Sequence, residues 1–190
     1  MRRTTILSAL AAALIGAAAT ATLPLGTFAA GEPIVGGAPM YPNRNIVENA
    51  VNSKDHTTLV AAVKAAGLVD TLMGPGPFTV FAPTNEAFSV LPPGTVEDLL
   101  KPENKAKLTK ILTYHVVKAN ALSSAIDKMI KDDGGKHTVT TVSGGKLVAS
   151  MKGGKITLTD ESGGTAAVTI ADVRQSNGVI HVIDHVLLPK

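Results

Sequence analysis

Four Gly-Gly pairs divide the second half of this 190-residue chain at almost even intervals. They begin at residues 134, 144, 153 and 163, in steps of 10, 9 and 10 residues. The runs next to them are rich in β-prone residues: 137–142, 146–151, 155–159 and 165–170. Strands spaced by about 8 to 12 residues and separated by Gly-rich turns are typical of an antiparallel meander. The spacing therefore predicts four consecutive antiparallel strands, and the longer run 178–188 predicts a central fifth strand.

The first half of the chain has helical spacing instead. Four segments show it: 45–51, 57–66, 96–100 and the segment that begins at Pro102. Gly67 predicts the end of the second helix, and Thr95 predicts the cap of the third. A short strand over 78–81 leads to Thr84, which predicts the cap of another helix. Helices followed by a meander indicate an α+β fold, mainly β, whose sheet is closed by the last strand.

Residues 1–29 have the three parts of a secretory signal peptide: a basic head, an apolar run and a small-x-small cleavage site at 27–29. Polar residues interrupt the apolar run too early for a spanning helix of about 20 residues. The sequence thus predicts a mature chain that begins near Ala30, with a flexible tether over 30–45 and a single domain over 46–190. We expect this chain to be secreted or periplasmic, with no membrane span after cleavage.

The charge balance excludes one class of partner. Loss of Arg2 and Arg3 with the signal reduces the 18 basic residues to 16, against 15 acidic residues, so the mature charge is +1. A nucleic-acid partner would require a basic footprint that this balance does not provide. The chain also contains no Cys, so its stability must come from packing alone.

No catalytic or metal-binding pattern stands out. The G-x-S-x-G elbow of hydrolases does not occur. Residues 74–77 favour a turn over a phosphate loop, because two of the four are Pro and donate no backbone N–H. His181 and His185 have the spacing of zinc ligands on a helix, but on a strand they would lie about 13 Å apart. The sequence therefore predicts no enzyme, no metal and no cofactor.

Three blocks of the sequence resemble the signature motifs of the fasciclin domain family. They are FTVFAPTNEAF from Phe78, the pair Tyr114-His115, and NGVIHVID from Asn177. They occur in the family's order, and the resemblance covers about residues 46–190. It implies a β-sheet folded on itself into a wedge-like sandwich, with several helices packed along it. It also implies a non-enzymatic module that attaches to a cell-surface or envelope protein or glycan.

The same resemblance supplies four candidate binding residues. In adhesive animal members of the family, an Asp-Ile pair and the Tyr-His segment have been linked to integrin binding. Here the corresponding residues are Asp172-Val173 and Tyr114-His115. The match is partial, because Ile170 and Ala171 stand where those members carry polar residues or Pro. The alternative is that Tyr114-His115 is a half-buried strand segment hydrogen-bonded inside the domain.

The remaining motif residues are predicted to be structural: Thr84, Asn85, Asn177, Gly178, His181 and Asp184. Asp172 is expected on an accessible loop or strand end, where replacement by Ala would change stability by less than about 0.5 kcal/mol. A second function stays open beside adhesion. Some fasciclin-like proteins hold carotenoids, and a chain rich in Ala, Val and Leu can form an apolar groove for such a ligand.

Overall fold

The structure, a computed structural model, describes residues 32–190. The strands in this part of the chain are β1 (Ile34–Val35), β2 (Ala38–Pro39), β3 (Phe78–Pro83), β4 (Val116–Val117), β5 (Lys136–Thr140), β6 (Lys146–Lys152), β7 (Lys155–Thr159), β8 (Thr165–Gln175) and β9 (Gly178–Ile183). The helices are α1 (Ile46–Ala50), α2 (Thr57–Ala66), α3 (Val69–Met73), α4 (Asn85–Ser89), α5 (Thr95–Leu99), α6 (Lys105–Tyr114) and α7 (Ser123–Asp132). Two 3-10 turns precede α2 and α6, at Lys54–His56 and Pro102–Asn104.

Seven strands form one sheet in the order β4-β3-β9-β8-β7-β6-β5. β3 and β9 pair in parallel, and the other neighbours pair antiparallel. Strand β8 pairs first with β7 and then with β9, and it bends at two irregularities between Val168 and Val173. This bend folds the sheet on itself, so that Val142 N next to β5 donates to Val116 O on β4 at 2.7 Å. The predicted α+β fold, the meander and the central position of the last strand are confirmed.

The core has two parts because side chains alternate across β3 and β9. Val80 and Ile180 belong to a cluster that the helices cover, with contributions from α1, α2, α3, α5 and α6. Phe81 and Ile183 belong to a second cluster inside the folded sheet, which α7 closes through Ile126. Both faces of the β3–β9 pair are therefore buried, which explains the continuous apolar character of these two strands.

The N-terminal part of the domain differs from the predicted tether. Strands β1 and β2 form a small hairpin, and the side chains of Val35 and Met40 are buried in the helix-covered core. Lys54 N donates to Gly36 O at 3.1 Å, and Ser176 N donates to Arg44 O at 2.8 Å. The prediction of a flexible segment over 30–45 is thus wrong for its described part, because two apolar side chains and backbone bonds hold it to the fold. The predicted signal peptide lies outside the described residues.

Several element boundaries also differ from those predicted. Gly94 caps α5, and Thr95 is its first residue, so the Thr95 hydroxyl makes no cap. Tyr114 ends helix α6 instead of lying in a strand, and the amphipathic helix α7 was not predicted. The last strand stops at Ile183, well short of Leu188. Among residues 32–190, no helix is both long enough and apolar enough to cross a membrane.

Candidate functional site

His181 lies fully buried in the middle of β9. Its Nε2 bonds to the Ala121 carbonyl at 2.8 Å, and its Nδ1 accepts from Asp172 N at 3.3 Å. A carbonyl can only accept and an N–H can only donate, so this pattern requires a neutral ring with its proton on Nε2. Burial lowers the pKa of His181 below its ordinary value, against smaller opposing effects of the Ala121 carbonyl and Asp172. The imidazole therefore links β9, β8 and the segment before α7.

Asp172 lies at the irregularity of β8 with a φ of 60°, the left-handed conformation that Asp tolerates better than most residues. Its carboxylate accepts from Ser123 N at 2.7 Å and from Ser123 Oγ at 2.5 Å. Helix α7 begins at Ser123, and its own N-cap residue, Leu122, has no side chain that can cap it. Asp172 thus caps α7 from another element. The expectation of an accessible acid with few contacts is wrong, because sequence spacing does not show that a helix start lies against this strand.

His115 follows helix α6 and is buried. Its Nδ1 bonds to Ile111 O at 2.8 Å, and its Nε2 accepts from Leu187 N at 3.0 Å, which requires a neutral ring protonated on Nδ1. Burial lowers the pKa of His115 to about 4, although the Ile111 carbonyl and the charge of Asp160 act in the opposite direction. The ring fastens the C-terminal segment to α6.

Tyr114 is also buried, and its hydroxyl donates to Lys146 O at 2.6 Å and accepts from Glu161 N at 3.2 Å. Val173 has no exposed surface either. Of the four binding candidates, Tyr114, His115 and Val173 therefore cannot touch a partner in this conformation. Asp172 is half-buried, and both of its carboxylate oxygens are engaged by Ser123.

Two residues of the first motif act at helix starts. Thr84 Oγ1 accepts from Ala87 N at 3.3 Å and so caps α4, as its sequence position predicts. Asn85 reaches a different helix, α2, whose first residues lack a side-chain cap of their own. Its Oδ1 accepts from Thr58 N at 3.0 Å, and its Nδ2 donates to Lys54 O at 2.8 Å. The motif thus joins α4 to α2.

The third motif begins with Asn177, whose side-chain amide, like that of Asn85, both accepts and donates hydrogen bonds. Asn177 Oδ1 accepts from Ile46 N at 3.1 Å, and Nδ2 donates to the carbonyls of Leu72 and Gly74 at 2.8 and 3.0 Å. Next to it, Gly178 passes so close to β3 that an added Cβ would lie 1.9 Å from Phe78 O. These two residues hold the turn between β8 and β9 against α1, α3 and β3.

Asp184 and Asp160 complete the set of structural acids. Asp184 Oδ1 accepts from Ala167 N at 2.8 Å and lies 2.9 Å from His185 Nδ1. Asp160, which the sequence reasoning missed, is buried and accepts from Ser162 N, Gly164 N and Leu188 N. Asp160 lies two residues before Ser162 and four before Gly164, in a Gly-rich turn, and this position is the local signal that predicts such an Asp.

The described residues also form openings that border this network. An apolar cleft of about 70 Å³ runs between α1, α2, α3 and β3 and is lined by residues such as Val47, Val63 and Leu72. A shallower groove of about 350 Å³ lies beside Asp172, with Ser124, Asp127, Lys155 and Thr169 among its lining residues. Among residues 32–190 there is no cluster of three His, Cys, Asp or Glu side chains that would hold a metal.

His56 lines a small apolar pocket next to the cleft. Its Nδ1 lies 2.8 Å from Ser53 Oγ, and its buried Nε2 makes no hydrogen bond within the described residues. Burial lowers the pKa of His56 below its ordinary value. The Ala82 carbonyl opposes this effect but forms no hydrogen bond with Nε2. His56 is thus the one of the three buried imidazoles whose bonding is incomplete within residues 32–190.

The fold and the inward-directed polar residues define a scaffold domain in which helices cover one face of the β3–β9 pair and the folded sheet encloses a second core. The sequence profile of the Fasciclin domain matches residues 54–189, and this chain belongs to the fasciclin domain family. Protein sll1483 of Synechocystis sp. is 53% identical over 148 residues, which are 76% of this chain and 73% of that protein. Immunogenic protein MPB70 of Mycobacterium bovis is 35% identical over 145 residues, or 74% of this chain and 66% of that protein.

Similarity extends to a relative from an animal. Transforming growth factor-beta-induced protein ig-h3 of Sus scrofa is 40% identical over 131 residues, which are 69% of this chain and 17% of that protein. A solved structure of a FAS1 domain pair from the insect cell adhesion molecule fasciclin I has a TM-score of 0.69 at 19% identity. That likeness covers 77% of this chain and 51% of the solved chain, so this chain spans about half of the solved structure and shares its fold.

Proposed function

We propose that this chain is a non-enzymatic adhesion or interaction module that works outside the cytoplasm. One observation carries the proposal. Polar side chains from all three signature motifs bond to the backbone or side chains of their own domain, at helix starts and strand junctions. Side chains that bond within their own domain hold the fold together and are not free to bind a partner. Contacts with a partner are therefore made by other residues on the outer surface.

The relatives support the same function. The protein whose domain pair shares this fold is a cell adhesion molecule, and the ig-h3 protein shares the sequence pattern at 40% identity. We propose a cell-surface or envelope protein or glycan as the partner. The near-neutral mature charge, +1 from 16 basic and 15 acidic residues after loss of Arg2 and Arg3, fits short-range contacts better than long-range steering.

We place the attachment surface around the groove beside Asp172. Ala171 and Arg174 are exposed on β8 on either side of the buried Val173. Asp172 itself fixes the start of α7, which forms one wall of the groove through Ser124 and Asp127. In this proposal Asp172 shapes the surface, and its exposed neighbours make the contacts.

Arg174→Glu tests this surface. We expect attachment of cells to a surface coated with the protein to fall several-fold, with an unchanged melting temperature, because the Arg174 side chain is exposed and makes no bond within the described residues. Lys107→Glu, an equal charge reversal on the exposed face of α6, is the matched control and should leave attachment intact. Wild-type attachment no stronger than that of serum albumin would contradict the function, and equal attachment by Arg174→Glu would contradict the surface.

The apolar cleft favours a second candidate, a carrier of an apolar small ligand such as a carotenoid. Its present volume of about 70 Å³ is small, since a cavity of about 150 Å³ holds only benzene. A long ligand therefore requires α1 or α3 to move outward. Visible absorption by the protein purified from its own cells, lost on extraction with organic solvent, is the expected sign. Colourless protein whose extract contains no apolar compound would exclude this candidate.

Export is part of the proposal. We expect the intact mass of the protein recovered from outside the cytoplasm to correspond to a chain that begins near Ala30, within a few residues. A full-length species that stays with the membrane fraction would contradict cleavage.

A further inference from the structure

Strands β4 and β5 are the two ends of the seven-stranded sheet. Because the sheet folds on itself, these ends meet at the bond from Val142 N to Val116 O, and next to it Ser143 N donates to Thr113 O of α6 at 3.3 Å. A closed barrel would continue this pairing along both strands. Here β4 and β5 share no ladder, so the sheet stays open beyond these two bonds.

The direction of the backbone groups shows what faces the opening. Thr141 N donates across the hairpin to Gly145 O at 2.9 Å, toward β6. Backbone groups alternate in direction along an antiparallel strand, so those of Thr138 and Thr140 point away from β6, as Val142 N does. Within residues 32–190, the backbone groups of Thr138 and Thr140 have no strand partner on that side.

The same alternation applies to the other end of the sheet. Phe81 N donates to His115 O at 2.9 Å, so Val117 faces β3 and Lys118 faces away from it. Lys118 and Thr140 would form the next rung after Val116 and Val142, and that rung is missing. Two edges with unpaired backbone groups therefore diverge from one bond.

A cavity of about 220 Å³ lies between these edges. It extends from Val117 and Ala119 on one side to residues 138–140 on the other, and Phe81, Ile126 and Met129 are among the residues that line it. The space is apolar inside and carries unpaired edges at its rim. This is the combination that an added strand satisfies, because its backbone pairs with the edge and alternate side chains enter the pocket.

We propose that the gap between β4 and β5 binds an extended peptide segment of a partner protein, which adds to β5 as a strand. Alternate side chains of this segment are apolar and enter the cavity, and the others face solvent. Exposed Lys118 and Lys136 flank the gap, whereas Asp133 nearby is engaged by His137 at 2.6 Å. Acidic residues at the outward positions of the peptide therefore complement the site.

The alternatives fit these features less well. An apolar small molecule would leave the backbone groups of Thr138 and Thr140 unpaired. A second copy of this chain paired through β5 would bring Lys118 and Lys136 of both copies together, and like charges oppose such pairing. The inference rests on the proposed function as an interaction module and adds a second binding surface, which shares no lining residue with the groove beside Asp172, and the chemistry of its partner.

A labelled octapeptide of alternating Val and Glu tests the proposal, with fluorescence polarisation on the full chain. Thr140→Pro removes one N–H that faces the gap and none of the N–H groups that pair with β6, and we expect it to weaken binding at least tenfold. Thr140→Val retains the N–H and is the matched control, with binding within about twofold of wild type. An alternating Val and Lys peptide should bind at least tenfold more weakly than the Val and Glu peptide.

Hydrogen exchange gives a readout that does not depend on the folding of Thr140→Pro. The amides of Thr138 and Thr140 should become protected when the Val and Glu peptide is added to wild type, while the amides of β7 stay unchanged. Equal affinity of Thr140→Pro and Thr140→Val, or no added protection, overturns the proposal. Sedimentation that shows a dimer lost in Thr140→Pro assigns the edge to self-pairing and also overturns it. Wild type that attaches to cells but binds no Val and Glu peptide would leave the proposed function standing and reject the gap.

Discussion

The parallel pair β3–β9 and the meander β5–β7 are parts of the same sheet, but they are held in different ways. In β3–β9 nearly every residue is buried on both faces, and the His181 side chain of β9 bonds to backbone atoms of Asp172 and Ala121. In the meander, Gly-rich turns connect neighbouring strands, and on β5 half-buried and exposed positions alternate. The pair depends on particular residues at particular positions, whereas the meander depends on a pattern that many residues satisfy.

This contrast explains where the signature motifs lie. The first and third blocks begin on β3 and just before β9, and Tyr114-His115 lies where α6 leads into β4 beside them. Polar groups on a strand pair that is buried on both faces need hydrogen-bond partners, because each unpaired buried group costs about 1 to 3 kcal/mol. Residue identity is therefore most restricted at this pair.

Gly178→Ala should show the contrast most strongly. The new Cβ would lie 1.9 Å from Phe78 O, a backbone atom that cannot move without separating β9 from β3. We expect a loss of at least about 3 kcal/mol in the free energy of unfolding, measured by urea denaturation, or failure to fold. A variant of near wild-type stability would show that the parallel pair tolerates displacement and that its close approach is not essential.

Acid should weaken the parallel pair before the meander. Burial holds the pKa of His115 at about 4 in the folded state, against an ordinary value of 6.5, and a proton on Nε2 would also face the Leu187 N–H. The unfolded chain binds this proton first, so the contribution is complete above pH 6.5 and declines as the pH falls toward 4. For His115 alone we expect a loss of about 2 kcal/mol between pH 7 and pH 5.

Burial also lowers the pKa values of His181 and His56, so these two rings likewise make the folded state less stable as the pH falls. Urea denaturation at pH 7 and pH 5 measures the total, and His115→Gln should reduce the difference. Hydrogen exchange at pH 5 should show faster opening of β9 than of β7. Equal stability at both pH values would show that the buried rings reach water in the folded state.

Asp172→Ala should have a smaller effect, which still exceeds that of an ordinary surface change. It removes both bonds to Ser123 and leaves the start of α7 uncapped, so we expect a loss of about 1 to 2 kcal/mol. Thermal unfolding should show a smaller decrease for Ser123→Ala than for Asp172→Ala, since Ser123→Ala loses only the Oγ bond and its backbone N–H still bonds to Asp172. A decrease in the free energy of unfolding below about 0.5 kcal/mol would show that Asp172 contributes no more to stability than an exposed acid does.

Gly153→Ala tests the meander and should have the smallest effect. Gly153 has a φ of 58° at the β6–β7 turn, and an added Cβ would meet no atom within 4 Å. The cost is therefore backbone strain alone, about 1 kcal/mol. The same Gly→Ala change thus has a several-fold larger effect at Gly178, and similar losses at the two positions would remove the distinction between the regions.

The sequence predicted local features better than contacts between distant segments. The even Gly-Gly steps located the meander, and Thr84 and Gly67 marked helix ends as predicted. The bonds of Asp172 to Ser123 and of Asn85 to Thr58 could not be predicted, because they join residues far apart in the chain. The hairpin β1–β2 escaped prediction for the same reason, since only its contacts with the core order a segment rich in Gly and Pro.

The parallel pairing of β3 with β9 also sets the order in which the protein can be completed. It joins Phe78–Pro83 to Gly178–Ile183, so β3 cannot pair with β9 until the other strands of the seven-stranded sheet have been made. A chain that leaves a ribosome or crosses a translocation channel with its N-terminus first cannot close this sheet until residue 183 has emerged. Such a high contact order slows folding. The parallel pair therefore cannot form, and the seven-stranded sheet stays incomplete, until β9 has emerged.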